Sequence, residues 1–259
     1  MQLDWDTYHT TGIKSTYLFR FMKPKWLLKF IRTGNMSMAR MDTFEDKLEG
    51  VSISNIDSIG LSKLLKSKSK ESSLRDLKKL KSRLQNKQQS NYVCCWYLAD
   101  RESLAMWNLY GGENGLAIRI DRRNLQKRIK KQLKANQYPP NSTCMIAGKV
   151  VYQNYIGDPS KNKVRPIKYL SYRKDESFSH EREYRIVLSL NKPKPGKKHE
   201  RYNFSLRSML DLDIRIIASP KMSNIAFVKI QNELIRIDPS LKLQKSELLP
   251  WYQFTNTKL

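Results

Sequence analysis

The order of apolar and polar positions predicts a chain in which strands outnumber helices. Strands are expected where apolar and polar residues alternate, or where a short apolar run lies between turn residues. The predicted strands cover 16–22, part of 35–44, 91–99, 114–121, 148–155, 182–190, 201–206 and 213–220. Some of these runs contain unbroken apolar stretches, such as 92–99 and 186–188, which is typical of buried strands.

Helical spacing of apolar residues predicts helices between these strands. One helix begins at Pro24, which suits a first helical turn, and stops at Gly34. Asp121 can cap a second, strongly basic helix over 122–134. Further helical segments are predicted for a Lys- and Ser-rich insertion at about 55–90, a short helix at 101–112, a charged helix-like segment at 167–181 and a helix at 224–235.

The order of these elements predicts an α+β fold with a mixed or antiparallel central sheet and flanking helices. No repeat of fixed period is present. We expect residues 1–259 to form a single catalytic domain, interrupted by the helical insertion at about 55–90.

The net charge of the chain predicts the class of molecule that it binds. Lys and Arg number 49 against 24 Asp and Glu, which gives a formal net charge of +25. This excess favours a polyanionic partner, with nucleic acid first and an anionic membrane surface second. The alternative is a basic composition spread over solvated faces without a specific partner.

Other compositional features narrow the setting. No apolar run approaches the roughly 20 residues that span a bilayer, and the first residues do not resemble a secretory signal. Three cysteines and three histidines make a zinc site unexpected. We therefore expect a cytoplasmic protein in a reducing compartment, without a metal.

The first candidate for chemistry is a carboxylate pair, Glu181 and Glu183, at the start of the strand predicted over 182–190. Side chains two residues apart on a strand share one face, about 7 Å apart. Such a pair can stabilise an oxocarbenium-like centre with one carboxylate and orient or deprotonate a nucleophile with the other. The alternative is a solvated strand end whose carboxylates pair with Arg182, Arg185 and other nearby cations.

Three further positions suggest ligand contacts. Arg20 ends an apolar strand and could hold a diphosphate, or could be an edge residue that reaches solvent. Trp107 and Tyr110, one helical turn apart, could stack on a base or on nicotinamide, or could pack in the core. Glycines that include Gly115 follow them and would allow close backbone approach.

The basic helix offers charge for phosphate contacts. We expect these contacts from Arg122, Arg123, Lys127, Lys130 and Lys131. Aromatic residues are not interleaved with them, which argues against a base-stacking platform. Walker, dinucleotide-binding, nucleophile-elbow and zinc-protease motifs are absent from the sequence.

Taken in order, these segments resemble a bacterial domain-of-unknown-function family. The resemblance rests on YLFR, WLLKFIRTG, FEDKLEG, MWNLYGGENGLAIRID and EREYRIV, that is, on a W-x-x-Y…G and an E-x-E-Y-R motif. It covers most of the chain outside the insertion. The same order is similar to the ADP-ribosyltransferase superfold, although no S-T-S-type element is found on the central strand.

That second resemblance implies roles for the candidate residues. Arg20 would hold the diphosphate or ribose of NAD, and Trp107 with Tyr110 would lie near the nicotinamide. Glu183 would stabilise the oxocarbenium ion while Glu181 positions the acceptor. NAD would be the substrate, with no metal required.

The resemblance and the charge together imply a function. We expect ADP-ribose transfer from NAD to a nucleic acid, RNA favoured over DNA, by a bacterial toxin or anti-phage effector that could pair with an antitoxin protein. Two alternatives stay open. One is a nuclease in which Glu181, Glu183 and Glu45 or Asp46 hold Mg²⁺. The other is a non-catalytic module that binds nucleic acid.

Overall fold

The fold is that of a computed structural model, which describes residues 4–8, 12–46, 49, 70–135, 141–153 and 170–249. Pro139 and Pro140, which follow the predicted basic helix, lie outside these residues. So does the first part of the predicted insertion, up to residue 69.

Twelve strands occur in the described part of the chain. Their bounds are β1 Asp4–Tyr8, β2 Tyr17–Met22, β3 Asn35–Arg40, β4 Asn91–Leu98, β5 Leu116–Asp121, β6 Ser142–Lys149, β7 Val151–Gln153, β8 Arg173–Asp175, β9 Glu183–Leu190, β10 Arg201–Ser205, β11 Arg215–Ala218 and β12 Leu243–Gln244.

The central sheet is mixed, in the order β1-β6-β9-β4-β2-β5-β11-β12. β1 runs parallel to β6 and β11 parallel to β12, while the other neighbours are antiparallel. β4 pairs with β9 along one edge and divides its other edge between β2 and β3, and β3 in turn pairs with β10. β9 therefore lies in the interior of the sheet, next to the point where the sheet forks.

Five α-helices accompany the sheet in the described residues, besides shorter 3₁₀ and π-helical turns. They are α1 Pro24–Thr33, α2 Lys70–Gln89, the one-turn α3 Leu104–Met106, α4 Arg122–Lys134 and α5 Asn224–Ile237. The buried apolar side chains of α1, α4 and α5 belong to one large cluster that also contains Trp96, Ile118, Tyr184 and Ile186. These three helices therefore cover a single face of the sheet, which we call the helix face.

Strand alternation sends the other residues of β9 to the opposite face. Glu183, Arg185 and Val187 alternate with Tyr184 and Ile186, and Val187 packs in a separate small cluster. We call this second face the carboxylate face.

The α+β class and the mixed sheet are confirmed, as are most predicted elements. The helix from Pro24 ends at Gly34, and Asp121 caps α4 by accepting a hydrogen bond from the Asn124 backbone at 2.9 Å. Within the predicted insertion, α2 forms the expected helix.

Two predictions about elements were wrong, and one strand at the start of the chain was missed. The segment expected as one strand over 148–155 contains the end of β6 and the short β7, and most of β6 was not predicted. The charged segment 167–181 is not one helix, because β8 separates two 3₁₀ turns there. β1 was not predicted at all.

Gly34 ends α1 with a backbone that only glycine fits easily. Its φ is 63°, and a β-carbon at this position would lie 1.5 Å from the Arg207 carbonyl oxygen. The Leu206 amide donates to the Gly34 carbonyl at 2.8 Å, so the two segments are in contact through their backbones.

We expect Gly34→Ala to lower the free energy of unfolding by about 3 kcal/mol or more, because it combines left-handed strain with backbone overlap. Gly12→Ala is the matched control, since Gly12 has φ 73° but no atom within 4 Å of the added carbon. It should cost only about 1 kcal/mol. Urea unfolding measures both, and equal losses would show that overlap with Arg207 contributes nothing.

Candidate functional site

A buried ionic cluster lies on the carboxylate face, where β9 begins. Its members are Glu49, Lys174, Glu181, Glu183 and Arg185, each at most 6% exposed. They come from three separate segments: the turn after β3, the strand β8, and the junction of a 3₁₀ turn with β9. Charged side chains are rarely buried unless they are paired, so their pairing defines the site.

The contacts within the cluster are short and shared. Arg185 donates through Nε to Glu183 Oε2 and through Nη2 to Glu49 Oε2, both at 2.6 Å. Its Nη1 donates to the Ser171 carbonyl at 2.8 Å. Lys174 Nζ donates to Glu183 Oε1 at 2.7 Å, lies 3.2 Å from Glu49 Oε1, and also donates to Glu181 Oε2. One ammonium therefore joins all three carboxyl groups.

Three carboxyl groups face two cations, so the cluster has one excess negative charge when all three are ionised. Burial, reinforced by the neighbouring Glu183, raises the pKa of Glu181. Burial alone would also raise the pKa of Glu183, but the charge of Arg185 beside it holds that pKa well below its usual range. Of these two neighbouring carboxyl groups, Glu181 is therefore the one that takes up a proton first as pH falls, and Glu183 stays ionised to lower pH.

The other charges of the cluster are consistent with this. Burial raises the pKa of Glu49. Burial alone would lower the pKa of Lys174, but the charges of Glu183 and Glu49 raise it above its ordinary value. Lys174 is therefore a fixed ammonium and not a candidate nucleophile.

The backbone between the two glutamates differs from the predicted extended strand. Glu181 is the last residue of a 3₁₀ turn and Glu183 is the first residue of β9. Arg182 between them is left-handed, with φ 40°, an uncommon conformation for a residue other than glycine. The predicted pairing of the carboxyl groups is thus found, but a backbone reversal produces it and strand alternation does not.

Tyr110 joins the site and Trp107 does not. The Tyr110 hydroxyl donates to Glu181 Oε1 at 2.6 Å, and its side chain is 47% exposed. Trp107 is buried, packs edge-on against Phe21 with ring centroids 4.8 Å apart, and donates from Nε1 to Glu102 at 2.8 Å. Trp107 therefore packs in the core, and of the two aromatic residues only Tyr110 is placed to stack on a ligand.

A π-helical turn over Trp107–Gly111 explains this divergence. The Gly112 amide donates to the Trp107 carbonyl at 2.7 Å, five residues back. Because such a turn is wider than an α-helical turn, residues three apart no longer share a face. Gly115 follows close by, where an added β-carbon would lie 2.4 Å from the backbone of Gly111. Gly115 thus permits backbone packing within the protein.

Arg20 lies on the other face of the sheet. It is opposite Ile118 of the helix face, its guanidinium is 5.8 Å from the centre of the Trp96 ring, and its Nη2 donates to the Ser37 carbonyl at 3.2 Å. Phe19, one residue earlier, is opposite Tyr97, which is opposite Glu183. The structure therefore does not bring Arg20 to the carboxylate pair.

The basic helix α4 is also on the helix face. Arg123, Lys127, Lys130 and Lys131 are exposed, whereas Arg122 is only partly so. Gln126 of the same helix donates to the Tyr184 hydroxyl. The sheet thus separates these expected phosphate contacts from Glu181 and Glu183.

The carboxyl groups converge on an ammonium, which argues against the magnesium arrangement. Lys174 Nζ takes the place between Glu49, Glu181 and Glu183 that a cation would need. The acidic segment 44–50 contributes Glu49 to this cluster, where Glu45 or Asp46 was expected. Among the described residues no group of three acidic, Cys or His side chains has the spacing of a metal site.

Within the described residues, no helix has both the length and the apolar character needed to cross a bilayer.

Two members of the cluster were missed by sequence reasoning. Glu49 lies 136 positions from its partner Arg185, so nothing local connects them. Lys174 was missed because it lies in a segment that was expected to be one helix and not a strand. Its signal in the sequence is weak, namely a Lys seven residues before the first glutamate of the E-x-E motif.

Comparison with known proteins agrees with part of the expected resemblance. A family model described as "Protein of unknown function (DUF2971)" matches residues 106–186, about a third of the chain. This range contains the W-x-x-Y…G motif, the E-x-E-Y-R motif and Lys174. No curated protein and no solved structure gives a match.

Glu183→Gln should destabilise the protein far more than Glu181→Gln. Removing the ionised carboxylate leaves Lys174 and Arg185 insufficiently paired, which should cost about 3–5 kcal/mol. Glutamine at 181 removes a negative charge that burial already disfavours and keeps an oxygen for the Tyr110 hydroxyl, so it should cost about 1 kcal/mol or less. Urea unfolding near neutral pH measures both, and similar losses would contradict the opposite pKa shifts of the two carboxyl groups.

Stability should also depend on pH through Glu181. A carboxyl whose pKa is raised by folding holds its proton better in the folded protein, so its contribution falls as pH rises above the ordinary value of 4.5. Glu183 acts in the opposite direction, because its stabilising contribution is lost as pH falls below 4.5. Relative to wild type, Glu181→Gln should therefore gain stability as pH rises from about 4 to about 8. A difference that stays constant across this range in thermal unfolding would refute a raised pKa at Glu181.

Proposed function

We propose that the protein transfers ADP-ribose from NAD to a nucleic acid, with RNA favoured, at the site formed by Glu181, Glu183 and Tyr110. The observation that supports this best is a carboxyl pair whose pKa values are shifted in opposite directions while both groups contact Lys174. Such pairs divide acid–base and electrostatic roles between two otherwise similar groups.

Glu183 has the properties of an electrostatic stabiliser. As the bond from ribose to nicotinamide breaks, positive charge develops at the anomeric carbon, and a permanently ionised carboxylate lowers the energy of that state. Both Glu183 oxygens already accept hydrogen bonds, from Lys174 and Arg185. Its contribution is therefore through its charge, and it exchanges no proton.

Glu181 has the properties of a proton-transferring group. Its raised pKa suits a group that takes a proton from the acceptor near neutral pH. The hydroxyl of Tyr110 covers its outer oxygen, and Tyr110 is half-exposed. A substrate that displaces this hydroxyl would contact Glu181 directly, with the aromatic ring beside it for the nicotinamide.

Arg182 is better placed than Arg20 to contact the NAD diphosphate. It is exposed, lies between the two glutamates in sequence, and its guanidinium is 5.9 Å from the centre of the Tyr97 ring on the carboxylate face. A guanidinium can bind phosphate oxygens in a bidentate way. In this proposal Arg182 therefore replaces Arg20, and Trp107 and Gly115 have structural roles.

The motif resemblance extends the proposal to a biological role. Enzymes of this kind are expected to arrest growth as bacterial toxins or anti-phage effectors, and an antitoxin would then restrain the activity. This part rests on the resemblance and on the net charge of +25.

The test is a transfer assay with labelled NAD, offered RNA, single-stranded DNA or lysate protein as acceptor. We expect label on RNA together with nicotinamide release. Glu181→Gln should lower transfer by about 10²–10⁴-fold, because it removes the proton acceptor, and should lower release into water less. Glu183→Asp keeps the charge but withdraws it by one methylene, and should lower both about 10²-fold.

Folding must be verified for each variant by circular dichroism before its activity is compared. A folded wild-type protein that releases no nicotinamide would refute the proposal. So would RNA cleavage that requires added Mg²⁺ and stops with EDTA, since that result identifies a nuclease. Label on protein alone would overturn the proposed acceptor.

A further inference from the structure

The helix α2 carries positive charges along one side. Cations recur there at every fourth position and all of them are exposed: Arg75, Lys79, Arg83 and Lys87. Residues four apart are neighbours on the same side of a helix, about 6 Å apart along its axis. These four cations therefore form a row about 18 Å long, which we call the α2 row.

The α2 row is unfavourable for the helix that carries it. Like charges four residues apart on a helix repel each other and are destabilising. Within the described part of the chain, no acidic side chain forms an ion pair with any member of the row. A bound polyanion would remove this repulsion, so the row has the properties of a surface for a negatively charged partner.

The last turn of α2 attaches this helix to the carboxylate face. Gln88 and Gln89 are both buried there. The Gln88 Nε2 donates to the Glu49 carbonyl at 2.8 Å, and the Gln89 Nε2 donates to Asp42 Oδ2 at 3.0 Å. Met41, next to Asp42, packs in the small apolar cluster of the same face. Through Glu49, α2 therefore contacts the ionic cluster directly.

The basic helix α4 has cations at the same spacing but lies elsewhere. Arg123, Lys127 and Lys131 are exposed on it, and the sheet separates them from the carboxylate pair. Only α2 combines an exposed row of cations with a contact to the ionic cluster, among the helices that the structure describes. Position, and not charge, therefore distinguishes the two helices.

The side chains of α2 indicate which polyanion fits the row. An anionic membrane surface would need an apolar face beside the charges, and Leu74 is the one large apolar side chain exposed in the described part of α2. The helix contains no aromatic residue on which bases could stack. Its cations can still contact phosphates, and such contacts carry no sequence information.

We infer that the α2 row binds the phosphates of the RNA acceptor and holds the RNA on the side of the sheet where Glu181 and Glu183 lie. The inference rests on the proposed function in taking RNA as the acceptor, and it names the surface that binds it. α4, on the opposite face, is not that surface.

Fluorescence anisotropy with a short labelled single-stranded RNA tests this assignment. Lys79→Gln/Arg83→Gln removes the two central charges of the row and introduces residues that favour a helix. It should weaken binding about tenfold or more at about 100 mM salt. The dependence of log affinity on log salt should become less steep by about 1.4, since about 0.7 is lost per phosphate contact in single strands. Lys127→Gln/Lys131→Gln, the same change of charge in α4, is the matched control and should weaken binding less than about twofold.

Thermal unfolding distinguishes a binding role from a structural one. Because the α2 variant loses a repulsive pair, its melting temperature should be equal to or above that of the wild-type protein. A lower melting temperature would assign the row to the stability of the fold and overturn the inference. So would equal weakening of RNA binding in both variants, weakening in the α4 variant alone, or weakening in neither.

Two further measurements keep this surface separate from other possibilities. Wild-type protein that binds vesicles of anionic lipid but not RNA would identify a membrane surface and overturn the inference. Nicotinamide release by the wild-type protein without RNA reports on the NAD chemistry alone. Release together with unchanged RNA binding in the α2 variant would refute the surface and leave the chemistry intact. No release, together with the expected loss of RNA binding, would refute the chemistry and leave the surface intact.

Discussion

Everything at the site depends on neutralising charge that is out of contact with water. Arg185 is fully buried, and its guanidinium reaches Glu183, Glu49 and the Ser171 carbonyl. A buried guanidinium left with too few partners is very unfavourable, so the segments that contain Glu49, Ser171 and Glu183 are held in one arrangement. The same contacts keep the pKa of Glu183 low, while burial beside Glu183 raises the pKa of Glu181. Architecture and acid–base properties are therefore set by the same interactions.

The sheet divides the protein into two chemically different faces. The helix face is closed by apolar contacts of α1, α4 and α5, and its basic residues lie on the outside of α4. The carboxylate face combines the ionic cluster with arginines stacked on tyrosines. The basic residues behind the net charge of +25 are thus divided between the two faces. For binding a partner, their location on each face matters more than the total charge.

The sequence predicted what depends on local pattern and missed what depends on distance or register. The strand that begins at Glu183 and the helix capped by Asp121 follow from periodicity and capping, and both are found. Trp107 and Tyr110 were expected on one face but lie in different surroundings, because a π turn cannot be recognised from the spacing of residues in the sequence. The position of Arg20 depends on strand register, since a shift of one residue moves a side chain to the other face. The contact of Glu49 with Arg185 could be found only from the tertiary fold, because the two residues are far apart in the sequence.

The long separation between Glu49 and Arg185 has a consequence for folding during synthesis. These partners are 136 residues apart, and β9 fills an interior position between β6 and β4. Until β9 has been made, β4 and β6 have no common neighbour and the early glutamate has no guanidinium to pair with. Chains interrupted before this point would contain neither the complete sheet nor the carboxylate pair. A ribosome that stalls early would therefore release an inert product, whatever reaction the finished protein performs.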